Sequence, residues 1–384
     1  MGEEGEHLAK KNKPRRFYDY SLLFCVIFLM AFGLLMIYSA SSYTAQLQHD
    51  DASYYMMRQL KIAMGGLGIA LFLSKLDYHW YARFALLAYV LSYVLMISVA
   101  LVGKDSHGSR RWLKIGGITF QPTEFVKIVL IVLLAVVITH MGKRINSLRS
   151  VGVVAALTLP IAGLVAANNL SSGIIIVGIA FFMLFVACDK GWPFYLCGLG
   201  ATVVIVTAGV WAPWMEKVKL LKAYQLERIF VWLDPEAYPR DGGFQVLQGL
   251  YAIGSGGLMG KGLGESIQKM GFVPEAQNDY IFAIICEEMG LFGAGLVIVI
   301  FLFLIYRFML IAVNAPDLFG SLLVVGVMGH IAIQVVLNIA VVTNTIPNTG
   351  ITLPFISYGG TSVLFLMIEM GMVLSVSNQI RLEK

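Results

Sequence analysis

The chain has 384 residues, of which 58% are hydrophobic and 13% charged, with a formal net charge of +5. Soluble domains carry about 25% charged residues, so this composition excludes an ordinary soluble enzyme. Apolar runs of roughly 18 residues or more recur along the whole chain, as in proteins that cross a bilayer many times. The first sixteen residues are polar, and the first apolar run is long enough to span, so we expect no cleavable signal peptide.

We predict an all-α polytopic membrane protein with about ten transmembrane helices, because lipid leaves no partner for the backbone other than the helix itself. A cytoplasmic tail (1–19) precedes the membrane domain (20–377), and a short tail (378–384) follows it. The predicted spans are Tyr20–Ser39, Lys61–Leu76, Ala82–Val102, Thr123–Met141, Val151–Ala167, Gly173–Cys188, Trp192–Trp211, Tyr280–Leu304, Leu318–Val342 and Tyr358–Val376.

The distribution of Lys and Arg predicts the orientation. Most of those in the tails and short loops fall on the side of the N-terminus, which favours both termini in the cytoplasm. The longest loop, Ala212–Asp279, is then extracellular. The sequence Gly256–Gly262 approaches a nucleotide-binding loop, but the residue after Lys261 is Gly262, and the loop lies on the side that lacks nucleotides, so ATP hydrolysis is disfavoured.

Asp279 lies at the predicted outer end of the eighth span. Two interpretations are compatible: an N-cap of the helix, and a general base at the membrane surface. Partial burial would raise the pKa of this carboxyl group, whereas the helix N-terminus and nearby cations would lower it. A divalent cation (Mg or Mn) near Asp279 or Glu275 is compatible with the sequence, but no ligand set is readable.

Two further carboxylates, Glu287 and Glu288, lie about 12 Å deeper along the same helix. We favour a buried ion pair or hydrogen bond for them over a catalytic role. Glu124 and Lys127 open the fourth span and are spaced to pair on one helical face. They are interpreted either as a structural ion pair or as a polar wall of a substrate-binding groove.

Two outer segments offer substrate contacts. Arg110, Arg111 and Lys114 form a short basic run that could bind phosphate, and Lys261 in its glycine-rich loop could do the same; both segments could equally be solvated loops. The turn from Asn344 to Ser357 holds two prolines and resembles a re-entrant segment, with Ser357 a candidate substrate contact.

Taken together, these motifs resemble the SEDS family (shape, elongation, division, sporulation), over essentially the whole chain from Tyr20 to Ser377. The Ile346–Gly350 turn and the Tyr38–Ser41 ending of the first span are more similar to the division and sporulation members than to RodA. One turn departs from the family pattern, because Asn169 stands where members often have an acid. The matching motifs are Tyr38–Ser41, Gly108–Leu113, Gln121–Glu124, Arg228, Leu233–Pro235, Gln245, Gln248, Ala252–Gly257, Gly260–Gly264, Pro274–Ala276, Asn278–Ala283, Glu287–Glu288 and Asn348–Ser362.

The resemblance implies a peptidoglycan glycosyltransferase that polymerises lipid II on the outer face of the bacterial cytoplasmic membrane. It implies a class B penicillin-binding protein as partner, no nucleic acid, and Asp279 as the essential acid. We expect an inverting displacement of undecaprenyl diphosphate, because a diphosphate leaves without a protonating acid. Two other classes stay open: a lipid II flippase or transporter, and a non-catalytic scaffold of the cell-wall machinery.

Overall fold

The computed structural model describes residues 17–106, 109–115, 118–218, 223–240 and 242–381, and it describes only the backbone for most of the strand residues between 104 and 119 and for parts of the segment 216–225. Its helices are α1 (Tyr20–His49), α2 (Tyr54–Leu73), α3 (His79–Val102), α4 (Pro122–Met141), α5 (Leu148–Ala166), α6 (Leu170–Ala187), α7 (Trp192–Val206), α8 (Ala208–Val218), α9 (Ala223–Leu233), α10 (Gly243–Gly256), α11 (Ile281–Val313), α12 (Leu318–Val342) and α13 (Thr361–Gln379).

The predicted all-helical membrane fold is confirmed. Within the described residues, nine helices are long and apolar enough to cross a membrane, and the bent pair α7–α8 would make a tenth span. The most deeply buried helices are α4, α12 and α13, and the others surround them. At one end of the bundle Arg307 binds Asp19, the N-cap of α1, at 2.7 Å. Glycine-rich and irregular segments occupy the opposite end, the predicted outer side.

The seventh predicted span, Trp192–Trp211, is wrong as a single helix. It breaks at Thr207, and α7 and α8 meet at 72°. The Thr207 hydroxyl donates to the carbonyl of Val203 at 2.7 Å, a back-bond that bends helices. The predicted outer loop therefore begins inside α8, and it contains the further helices α9 and α10.

A small antiparallel sheet joins α3 to α4 and was not expected from the sequence. Its strands are β1 (Lys104–Ser106), β2 (Ser109–Ile115) and β3 (Ile118–Phe120), with β2 in the centre. Pro122 then stands in the first turn of α4, where its missing amide hydrogen is not needed. Asn169 caps α6, because its side chain accepts from the amide of Ser172 at 3.3 Å.

Helix α11 is interrupted near its outer end by the glycine-rich loop (residues 257–271) that follows α10. Gly290 has φ of 66° and ψ of −166°, far from helical values. The carbonyls of Glu287 and Glu288 accept from the amides of Lys261 and Gly262, both at 2.9 Å. The amides of Leu291 and Phe292, which an unbroken helix would bond to those carbonyls, donate instead to the loop carbonyls of Gly257 and Leu258, at 2.9 and 3.2 Å. Hydrogen bonds to the loop thus take the place of two backbone hydrogen bonds within the helix.

The segment between α12 and α13 re-enters the bundle. A Cβ atom on Gly33, in the middle of α1, would lie 2.7 Å from the backbone of Phe355 and Ile356, so the segment reaches the depth of Gly33. The side-chain amide of Gln334, which lies about two turns before the end of α12, donates to the carbonyl of Thr352 at 3.0 Å. Side chains and neighbouring helices thus satisfy an irregular backbone away from lipid. We call residues 344–360 the re-entrant segment.

Candidate active site

Asp279 lies just before α11, at the end of the bundle that carries the glycine-rich loop. The N-cap position of α11 is Tyr280, and no side chain caps the helix there, so the capping interpretation of Asp279 is wrong. Its side chain is partly exposed, whereas its Oδ1 atom is buried and has no hydrogen-bond partner among the described residues. A carboxylate oxygen without a partner can accept a proton, which is what a general base requires.

Burial raises the pKa of Asp279 from its ordinary value of 3.8 to about 7. The negative charge of Glu275 raises this pKa further, whereas a hydrogen bond from the backbone of Asp279 itself and the positive charge of Arg228 lower it. A base is most effective when its pKa is close to the working pH. The environment of Asp279 therefore suits proton abstraction near neutrality.

Arg228 is the cation whose charge acts on Asp279, and the sequence did not single it out as a site residue. It projects from α9, and its Nη1 donates to the carbonyl of Asn348 in the re-entrant segment at 3.2 Å. The side-chain amide of Asn348 donates to Gln245 Oε1 at 3.2 Å. A guanidinium has five N–H donors, and the one hydrogen bond of Arg228 among the described residues is to Asn348, so donors remain for an anion.

The re-entrant segment closes one side of this site. A Cβ atom built on Gly350 would lie 3.7 Å from Asp279 Oδ2. The amide of Tyr358 donates to the carbonyl of Gln277 at 2.9 Å, and the side-chain amide of Asn338 donates to the carbonyl of Asp279 at 2.8 Å. The loop that carries Asp279 is therefore bonded to the re-entrant segment and to α12.

The side chain of Glu287 is fully buried, and both of its carboxylate oxygens accept hydrogen bonds. Its Oε1 accepts from Lys261 Nζ at 2.7 Å and from the amide of Ile267 at 3.2 Å. Its Oε2 accepts from the hydroxyl of Ser266 at 2.5 Å and from the amide of Gln268 at 3.3 Å. This is the buried ion pair that the sequence favoured. Lys261, the predicted diphosphate contact, is 30% exposed and is paired with Glu287, so its contact with a diphosphate stays a prediction.

Glu288 points to a different side of α11 and pairs with Lys269, at 3.0 Å between Oε1 and Nζ. The hydroxyl of Ser39 donates to the same oxygen at 2.6 Å. Lys269 also donates to Ser39 Oγ at 3.0 Å and to the carbonyl of Gly264 at 2.6 Å. The three donors of the ammonium group are therefore all used, and the cluster ties the glycine-rich loop to α1 and α11.

Glu124 and Lys127 form the predicted pair on α4, at 2.8 Å, and both side chains are buried. The hydroxyl of Ser362 on α13 donates to Glu124 Oε2 at 3.3 Å. This geometry matches the structural interpretation, because neither charged group lies on an open surface of the bundle. A contact of either residue with substrate stays a prediction.

The remaining predicted substrate contacts lie elsewhere. The side chains of Arg110, Arg111 and Lys114, on strand β2, lie outside the described residues, so their binding role stays a prediction. Ser357 is buried, and its hydroxyl accepts from the amide of Leu353 at 2.8 Å. That hydroxyl stabilises a turn of the re-entrant segment, and a contact of Ser357 with substrate stays a prediction.

A divalent cation receives little support. Glu275 is exposed and accepts a hydrogen bond from the side chain of Asn278. Among the described residues, no three His, Cys, Asp or Glu side chains gather into a set that could hold a metal ion. Because Mg²⁺ is often held by one or two carboxylates together with substrate phosphates, a divalent cation near Asp279 or Glu275 stays a prediction.

The comparisons with known proteins agree across the whole chain. Residues 20–382 match the model of the family described as cell cycle protein, which covers FtsW, RodA and SpoVE. The chain is 38% identical to stage V sporulation protein E of Bacillus subtilis, over 97% of this chain and 99% of that protein. It is also 38% identical to the probable peptidoglycan glycosyltransferase FtsW of Bacillus subtilis, over 95% of this chain and 92% of that protein.

Two solved structures share the fold. One belongs to a peptidoglycan synthase complex, described as coordinating polymerization and crosslinking, with a TM-score of 0.76 and 30% identity over 94% of this chain and 98% of that one. The other is the rod shape determining protein RodA of Thermus thermophilus, with a TM-score of 0.69 and 26% identity over 95% of this chain and 98% of that one. The greater identity to SpoVE and FtsW agrees with the motifs.

Proposed function

The chain belongs to the SEDS family of FtsW, RodA and SpoVE, and on that premise we propose that it polymerises lipid II into glycan strands with Asp279 as the general base. As a member of that family, it is a peptidoglycan glycosyltransferase and a multi-pass protein of the bacterial cytoplasmic membrane. It acts in cell division or sporulation. The observation that carries the base assignment is the partly buried carboxylate of Asp279, with a free Oδ1 and a pKa of about 7.

The proposed reaction joins a sugar hydroxyl of one substrate to the anomeric carbon of another. Asp279 takes the hydroxyl proton as the new C–O bond forms, and the bond from the anomeric carbon to the diphosphate breaks. The diphosphate leaves as an anion and needs no proton, so one carboxylate is sufficient, and attack opposite the leaving group inverts the anomeric centre. Asp279 then releases its proton to water.

Positive charge must stabilise the departing diphosphate. Of the described cations, Arg228 is best placed, because it acts on Asp279 electrostatically and keeps free donors. Lys261 is committed to Glu287. The same role stays a prediction for the cations of strand β2, which are Arg110, Arg111 and Lys114.

A partner completes the proposed activity. A strand polymerised outside the membrane must be crosslinked by another enzyme, and a class B penicillin-binding protein is the partner that the family resemblance implies. The synthase complex that shares this fold is described as coupling polymerization with crosslinking, and this likeness supports the proposal.

The test is a polymerisation assay with purified protein and lipid II, in which glycan strands are separated by size. We expect Asp279→Asn to lower the rate at least 100-fold, the order by which a general base accelerates a reaction. Glu275→Gln, in the same loop, should keep most of the activity. Near-wild-type synthesis by folded Asp279→Asn would exclude the base assignment. Movement of lipid II across liposomes without consumption would instead favour the flippase.

A further inference from the structure

The side-chain amide of Asn338 joins the proposed base to the re-entrant segment. Asn338 lies on α12 and is fully buried. Its Nδ2 donates to the carbonyl of Asp279 at 2.8 Å and to the carbonyl of Ile351 at 2.7 Å. Both hydrogens of the NH₂ group are therefore used, one on each of two chain segments that are far apart in sequence.

These two bonds constrain the direction in which the side chain of Asp279 points. The carbonyl of a residue and its Cβ share the same Cα, so fixing the carbonyl in a buried site restricts the carboxyl group as well. Gly350, next to Ile351, lies against Asp279 Oδ2. With the carbonyl held from α12 and the carboxyl group bounded by Gly350, Asp279 is placed from two sides.

We infer that Asn338 is a positioning residue for the general base, which it holds in register with the re-entrant segment by donating one hydrogen bond to each. This inference rests on the proposed function of Asp279. Few side chains can perform the role: an amide offers two hydrogens from one nitrogen, whereas a carboxylate of the same shape would present an oxygen to two carbonyl oxygens.

Gln334 provides a matched control on the same helix. It lies one turn from Asn338, is also buried, and donates to the next carbonyl of the re-entrant segment, that of Thr352, at 3.0 Å. No hydrogen bond joins Gln334 to Asp279 among the described residues. The two amides therefore share the task of holding the segment, and only Asn338 also holds the base.

The experiment compares Asn338→Leu with Gln334→Leu in the lipid II assay, with kcat, KM and the pH dependence of kcat/KM measured for each folded protein. We expect Asn338→Leu to lower kcat about 10- to 100-fold with little change in KM, because small misplacements of a reacting group cost rates of that order. Gln334→Leu should keep most of kcat. Asn338→Ala also removes both hydrogen bonds, adds no charge near Asp279, and supplies the same kcat and KM comparison where leucine lowers the melting temperature.

The pH profile separates positioning from a merely structural role. The charges that act on Asp279 are Glu275 in its own loop and Arg228 on α9, and neither substitution alters them. If Asp279 loses its anchor, it gains access to water and its pKa falls. The pH dependence of kcat/KM reports the free enzyme, in which the pKa of Asp279 is raised to about 7. The acidic limb of kcat/KM should then move to lower pH in Asn338→Leu and stay in place in Gln334→Leu.

Two failures are distinguishable. If Asp279→Asn is active, the base assignment itself fails, whatever Asn338→Leu does. If Asp279→Asn is inactive while Asn338→Leu and Gln334→Leu lower kcat equally, with an unshifted acidic limb, then Asn338 only stabilises the re-entrant segment and the positioning role is excluded.

Discussion

Lys269 and Glu288 form an ion pair, 3.0 Å between Nζ and Oε1, in which the side chains are only 6% and 0% exposed. Isolated charges at such depth are costly, and a pair is tolerated only when the remaining donors and acceptors find partners. Ser39 and the carbonyl of Gly264 supply partners for Glu288 Oε1 and for the ammonium group of Lys269, whereas Glu288 Oε2 is buried and has no hydrogen-bond partner among the described residues. The pair therefore holds the glycine-rich loop, the first helix and the helix next to Asp279 together.

Removing one member of this pair should destabilise the protein more than removing both. Lys269→Met leaves the carboxylate of Glu288 buried without its cation, which costs roughly 3–5 kcal/mol for a buried pair. We expect a large drop in the melting temperature of the purified protein in detergent, and a smaller drop for Lys269→Met combined with Glu288→Gln. Equal melting temperatures for the single and double variants would show that the charges do not interact.

The pH dependence of polymerisation should follow Asp279. The carboxylate is the active form, so the rate should rise with pH around a midpoint of about 7. Glu275→Gln removes a negative charge that raises this pKa, so the midpoint should move to lower pH. The measurement is initial rate against pH for the two proteins, and a midpoint that does not respond to Glu275→Gln would contradict the electrostatic account.

The stability of the folded protein should also depend on the ionisation of Asp279, but it should fall as pH rises, whereas the rate should increase. Because burial raises the pKa of Asp279 above its unfolded value of 3.8, the folded protein binds this proton more tightly. The contribution to stability is present at acid pH and is lost as pH rises through about 7. Asp279→Asn, which cannot ionise, should therefore melt at a higher temperature than the wild type above neutral pH, a readout that does not depend on substrate.

Arg228 should contribute to catalysis through charge and through its fork of donors. Arg228→Met removes both, and we expect the rate to fall at least tenfold, as when one preorganised donor is lost from a transition state. Arg228→Lys retains the charge but loses the planar donors, so an intermediate rate is expected. Arg240, an exposed residue of the same outer segment, provides the control as Arg240→Met, with lipid II polymerisation as the assay for all three. A wild-type rate in folded Arg228→Met would exclude the role.

Much of the membrane fold could be predicted from the sequence, because hydropathy reports directly which segments are long and apolar enough to span. Hydropathy reports nothing about breaks within an apolar run, and so α7 and α8 were predicted as one span. Hydropathy also placed the start of α2 too late, at Lys61 instead of Tyr54, because the first turns of that helix carry polar side chains such as Arg58 and Gln59.

The site was predictable where its partners are close in sequence. Glu124 and Lys127 are three residues apart on one helix, and their pairing follows from helical spacing. Lys269 and Glu288, or Asn338 and Asp279, meet only because loops fold back on helices, and no local pattern encodes those distances. The pairing of Lys261 was not predicted for the same reason, since its partner Glu287 is 26 residues away.

The break in the backbone hydrogen bonds of α11 has a consequence for the order in which the helices of the bundle come together. The glycine-rich loop precedes α11 in the chain, so its backbone bonds and its ion pairs with Glu287 and Glu288 can form as soon as α11 has been synthesised. Contacts of such short sequence separation close early. Asn338 and the re-entrant segment come later. The buried charges can thus be neutralised first, whereas the carboxylate of Asp279 reaches its final position only when the last two helices have joined the bundle.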